Sequence, residues 1–176
     1  MITSRTIAQT NLSSLRLRPI RAKDAPELAR LRAAGLIEQG FLSESEVREF
    51  HSTAIREIFT MIRSGELEGW LAETPMRAVG CACVVFWRRL PYADGNLHAE
   101  ISGVYVEPEL RRFGIATELV REAVGSARSR GARNVTLTPK ENSRAMYERL
   151  GFVDCDRMLL NLSSQAAART AASPLE

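Results

Sequence analysis

The stretch that most constrains the fold runs from Val104 to Val120, VYVEPELRRFGIATELV. Val104–Val106 reads as the end of a strand, Pro108 breaks it, and a short turn over Arg111–Ala116 leads straight into an amphipathic helix with Leu119, Val120, Ala123 and Val124 inside. A helix start leaves backbone N–H groups unpaired and carries a partial positive charge, so a strand delivered into one builds an anion site. Gly114 lets the backbone approach a ligand closely, Ala116 keeps the position beside it small, and Thr117 adds a hydroxyl. Neither Gly-x-x-x-x-Gly-Lys-[Ser/Thr] nor a Gly-x-Gly-x-x-Gly after a strand occurs, so the common nucleotide loops are excluded.

Around this junction the expected order is β-α-α-β-β-β-α-β-α-β. Leu15–Ile20 alternates as a strand. Lys23-Asp24-Ala25-Pro26 opens a helix, with Asp24 as cap, that runs to Gly40. A second helix follows from about Ser43 to Gly65. Trp70–Glu73, Ala78–Trp87 and Ala99–Glu107 form an antiparallel meander, separated by turn residues. Helix over 114–130, strand over 135–138, helix over 143–150 and a last strand over 152–160 complete the chain. The class is α/β, a mixed sheet with helices packed on it, as one domain over 15–160 with polar tails at 1–14 and 161–176.

At 176 residues, 45% apolar and 26% charged, the chain is long enough for one such core. Its longest apolar run, Cys81–Trp87, is far below the roughly 18 residues of a membrane span, and no stretch near the N-terminus has signal-peptide character, so no membrane association and a cytoplasmic location are expected. Three cysteines cannot close a disulfide framework and read as reduced thiols, Cys81 and Cys83 as small buried hydrophobes and Cys155 in the last strand. The net charge of +3 is spread rather than gathered into a stripe, which speaks against nucleic acid. His51 and His98 lie apart without further ligands, so no metal is expected.

Three segments in order carry a family resemblance. Arg111-Arg112-Phe113-Gly114-Ile115-Ala116 resembles the [Arg/Gln]-x-x-Gly-x-[Gly/Ala] signature of the GCN5-related N-acetyltransferases, the GNAT family. Ile101–Leu110 before it is similar to that family's fourth strand, and Met146–Phe152 to its Tyr-Glu-x-x-Gly-Phe segment. Leu15–Ala25 is similar to the family's opening strand and helix, so the likeness spans about 15–160.

The resemblance implies acetyl-CoA as cosubstrate and direct transfer to an amine, of a small molecule or a protein, in a ternary complex. Val104, Tyr105 and Val106 would pair through backbone with the pantetheine arm, and Arg111, Arg112, Phe113, Gly114, Ile115, Ala116 and Thr117 would hold the pyrophosphate. Tyr147 stands where many members carry the tyrosine that faces the CoA sulfur. Glu100, sixteen residues before Ala116, matches the spacing of the glutamate base in histone-acetylating members, with His98, placed in the loop before the strand, as second choice. Strict alternation would put Glu100, Ser102, Val104 and Val106 on one face of the strand. In many members an asparagine precedes the tyrosine by seven residues; Asn142 precedes Tyr147 by five, and reads as an N-cap of the last helix. The acceptor would lie between the first two helices and the 88–97 loop, near Phe41, Trp87 and Tyr92. A homodimer is common on this fold, with no interface marked in the sequence. The alternative is a non-catalytic acyl-CoA-binding or regulatory module.

Overall fold

The computed structural model describes residues 14–91 and 95–155. Its elements are β1 (Arg16–Pro19), α1 (Ala25–Glu38), α2 (Val47–Ser64), β2 (Leu67–Glu73), β3 (Ala78–Arg88), β4 (Leu97–Val106), α3 (Ile115–Ser129), β5 (Val135–Thr136) and α4 (Glu141–Arg149). As far as α4 the order is the one the sequence implies. Of the last expected strand, residues 152–155 carry no regular structure and 156–160 lie outside the described residues, as do both tails except Ser14. The sheet order is β1-β2-β3-β4-β5, antiparallel throughout except for the parallel pair β4–β5, which is a mixed sheet as expected.

Helices cover both faces. Leu28 and Leu31 of α1 pack with Leu67, Leu71, Cys81 and Cys83, and Ile58 and Ile62 of α2 close over them. On the opposite face Leu119 of α3 meets Ala72, Val79, Ala82 and Val106, while Val120, Ala123 and Tyr147 meet Val84, Phe86, Ala99 and Ile101. Leu71 and Leu119 are wholly enclosed, so truncating either to alanine would cost about 2–5 kcal/mol. Cys81 and Cys83 are buried free thiols, and Cys155 is exposed. No helix among the described residues is long and apolar enough to cross a membrane.

The entry into α1 is held electrostatically. Asp24 precedes the helix, with Pro26 in its first turn, but its carboxylate accepts from the Arg21 amide at 2.7 Å and from the Arg18 guanidinium at 2.7 and 2.9 Å. Arg18 also donates to Glu73 on β2, tying β1, β2 and α1 together. The Arg18 hydrogen bonds hold the Asp24 carboxyl below its ordinary 3.8, outweighing the upward push of burial. A depressed folded pKa stabilises the fold above the unfolded value and loses that stability as pH falls through the folded one. Thermal midpoints measured between pH 7 and 2 should therefore fall below about pH 4, and Asp24→Asn should flatten that part of the fall.

Candidate active site

The site is organised by an irregularity in β4. Cys81 pairs with Tyr105 but Cys83 pairs with Ser102, so two residues of β4, Gly103 and Val104, oppose the single Ala82 of β3. This is a bulge, and Gly103 sits in it with φ +66°, a left-handed conformation that glycine adopts without cost. The Gly103 carbonyl accepts from the Cys81 thiol at 3.2 Å, and burial pushes that thiol well above its ordinary range, so it remains a donor.

The extra residue shifts the phase of the strand. Before the bulge, Arg89 N donates to Asn96 O at 3.0 Å on the β3 side, while Arg133 N bonds Leu97 O at 2.9 Å and Ala99 N bonds Asn134 O at 3.2 Å on the β5 side. Even residues therefore face β3 and odd residues face β5. After the bulge, Glu107 N donates to Val79 O at 2.9 Å, so odd residues now serve β3. Val104 and Val106 turn their N–H and C=O groups to the other edge. That edge is open, because β5 pairs with β4 only at Ala99↔Val135 and Glu100↔Thr136.

The side chains shift with the main chain. Val104 and Val106 pack on the α3–α4 face with Ile101, whereas Glu100 and Ser102 lie opposite Val85 and Cys83 on the α1–α2 face. The expectation that these four share a face is thus corrected. It fails because strict alternation does not survive an inserted residue.

Beyond Val106 the chain makes a 3-10 turn over Pro108–Leu110 and enters the loop. Arg112 has φ +69° and Gly114, the residue before α3, has φ +83°; a Cβ on Gly114 would meet nothing within 4 Å, so the loop is open above it. Ile115 is buried and anchors the helix start beside Leu110, while Phe113 is 46% exposed. The first amide of the helix to find a carbonyl is Glu118 N, which donates to Gly114 O at 3.1 Å. The amides of Arg112, Phe113, Gly114, Ile115, Ala116 and Thr117 have no partner among the described residues. Consecutive free N–H groups at a helix start form an anion cradle.

Arg111 behaves differently from its neighbours. Its Nε donates to Val106 O at 2.8 Å, its terminal nitrogens hold Glu38 at the end of α1, and the guanidinium lies 5.6 Å from the Tyr105 ring centre. The side chain braces the loop against β4 and α1.

Tyr147 comes from α4 and packs edge-on to Phe152, with ring centres 5.8 Å apart. Its ring is buried, yet its hydroxyl has no hydrogen bond among the described residues. No fully enclosed side-chain oxygen or nitrogen there lacks a partner, so the hydroxyl reaches solvent. Burial pushes the phenol above its ordinary 10, and it stays protonated at neutral pH.

Glu100 is exposed. His98 lies within β4 rather than in a preceding loop, 3% exposed, with Nδ1 2.7 Å from Asn134 Oδ1 and its ring stacked on Trp87 at 4.7 Å. It is held as a core residue. Asn142 lies inside the first turn of α4, where Lys140 is the cap. Phe41 is 70% exposed, and Tyr92 lies outside the described residues. No group of three or more His, Cys, Asp or Glu able to hold a metal ion occurs among the described residues. Gly103 escaped the sequence reading, although a glycine inside a strand pattern is itself the usual sign of a bulge.

The Acetyltransferase (GNAT) family model matches residues 36–152. Among solved structures, a predicted acetyltransferase from Clostridium acetobutylicum with acetyl-CoA bound is 26% identical with a TM-score of 0.73, covering 84% of this chain and 96% of that one. A Trypanosoma brucei acetyltransferase is 28% identical with a TM-score of 0.64, covering 84% and 99%. A GCN5-related N-acetyltransferase from Ralstonia eutropha, at 20% identity, TM-score 0.73 and coverage of 84% and 98%, shares the fold. No curated protein matches the sequence.

Proposed function

As the chain belongs to the GNAT family of acetyltransferases, we propose that it transfers the acetyl group of acetyl-CoA directly to a primary amine within a ternary complex. One observation carries this reading: the outward main chain of Val104 and Val106 leads directly into the unpaired amides of Arg112–Thr117. A pantetheine arm, with its two amides, adds to such an edge as an extra strand would. The pyrophosphate then accepts from the amide row at the start of α3. Arg111 serves by bracing Val106, since its guanidinium is engaged there and on Glu38 and its amide donates to Pro108 O at 3.3 Å.

Acetyl-CoA supplies an activated thioester. The neutral amine nitrogen bonds to the acetyl carbonyl carbon as the C–S bond breaks, and the amine's proton passes to the Glu100 carboxylate, directly or through water. The Tyr147 hydroxyl, protonated and solvent-reaching, gives its proton to the departing sulfur.

Calorimetry with CoA and thiol release on a panel of amines test this reading. Gly114→Val forces a β-branched residue into a left-handed conformation and places methyl groups over the cradle, so CoA affinity should fall at least about tenfold, the equivalent of about 1.4 kcal/mol. Absence of CoA binding to the unaltered protein would overturn the proposal. CoA binding without thiol release on any amine would favour the non-catalytic module.

A further inference from the structure

The arginines that shape this fold are committed. Arg18, Arg30 and Arg111 each hold one or more carboxylates. Arg32 of α1 is different: it is half-buried, yet it makes no hydrogen bond or ion pair with any described residue. Its Cδ and one terminal nitrogen lie 3.8 Å from where a Cβ on Gly103 would stand. Its charge also opposes the upward push of burial on the Cys81 and Cys83 thiols. The side chain therefore lies over the α1–α2 face of the sheet at the β4 bulge. Ser102 and Glu100 follow along the same face, opposite Cys83 and Val85.

An arginine cannot shed its charge, and its planar fork of donors matches a carboxylate or phosphate. Partly burying such a side chain without an anion gives up hydration that no described residue replaces with a hydrogen bond. Glu100 lies three residues from Gly103 on the same face, roughly 10 Å along the strand at about 3.3 Å per residue, a separation that the long side chains of Glu100 and Arg32 can bridge with a ligand between them. A small molecule with a cationic nitrogen at one end and an oxyanion at the other spans it.

We propose that the acceptor amine carries a carboxylate or phosphate within a few bonds of its nitrogen, and that Arg32 binds this oxyanion while the nitrogen faces Glu100. The proposal rests on the reading of the chain as an N-acetyltransferase. It names amino acids and aminoalkyl phosphates as the acceptor class and excludes polyamines and aminoglycosides, which carry no anion. The transfer step is the one above, with the amine's proton leaving to Glu100 and the sulfur receiving one from Tyr147.

The experiment uses matched pairs of acceptors: amino acids against their amides, and aminoalkyl phosphates against the corresponding amino alcohols, with kcat and KM from thiol release. The protein should prefer the anionic member of a pair by about 30-fold, the scale of a hydrogen-bonded charge pair. Whether the preference appears in the carboxylate or the phosphate arm identifies the oxyanion. Arg32→Gln should collapse the ratio to near one, chiefly through KM for the anionic member, and Arg32→Lys should restore part of it. Loss of activity on both members in equal proportion would indicate a structural role and overturn the proposal, as would a preference of the unaltered protein for neutral amines. Either result leaves acetyl transfer standing. Thiol release from no amine at all overturns both readings. The preference of the unaltered protein decides the matter even where Arg32→Gln fails to fold.

Discussion

Tyr147→Phe is expected to lower kcat by about 100-fold, the lower end of what a positioned proton donor contributes. CoA affinity and the thermal midpoint should change little. The substitution keeps the ring that packs against Phe152 and within the cluster of Val120, Ala123 and Ile101, and it removes a hydroxyl that has no partner among the described residues. The kinetic effect then isolates the proton-donor role proposed for the hydroxyl from any contribution to the fold. Steady-state kinetics, CoA calorimetry and thermal unfolding separate the outcomes. An unchanged kcat would remove Tyr147 from the chemistry. A large fall in the midpoint would make the hydroxyl structural.

Gly103→Val should be damaging in both stability and activity, for one geometric reason. The site is spacious: the nearest atoms to a Cβ there, on Arg32, are 3.8 Å away. The obstacle is conformational, because a β-branched residue at φ +66° costs about 1–3 kcal/mol. For a chain of this length that corresponds to a fall of roughly 5 °C in the thermal midpoint. The strand can relieve the strain by expelling the bulge, but the phase of β4 then reverts, and Val104 and Val106 turn their main chain back toward β3. Activity should then fall by more than the loss of folded protein explains. Gly103→Ala should be milder. Wild-type kcat/KM in Gly103→Val would refute the role given to the bulge.

Much of this architecture could be read from the sequence, because helices and caps are local. The Leu and Ile spacing of α1 and α2, the Asp24–Pro26 start and the Gly114 junction each report on a few neighbouring residues. Boundaries were less legible where polar residues interrupt a strand. β2 begins at Leu67 rather than Trp70, through Glu68 and Gly69, because Gly69 packs against Ala82, where a Cβ would stand 2.9 Å from the carbonyl. What escaped altogether was relational. The commitment of Arg111 to Glu38 joins residues 73 positions apart, and the lack of a hydrogen-bond or ion-pair partner for Arg32 among the described residues can be seen only once their other charges have been placed. The phase of β4 depended on a single glycine whose effect extends to every later residue of the strand.

A one-residue phase change cannot act on the main chain alone. Sending the amides of Val104 and Val106 to the open edge also sends their side chains into the core beneath α3. In the proposed complex these two positions would therefore face two demands that never compete: the backbone, which is the same for every amino acid, would meet the ligand, and the side chain, which differs, meets the protein. Drift at 104 and 106 is governed by packing volume whatever the cosubstrate. On the proposed reading, discrimination among acceptors would be left to the opposite face, where Glu100 and Ser102 of β4 and Arg32 of α1 could change without altering the main chain at the open edge.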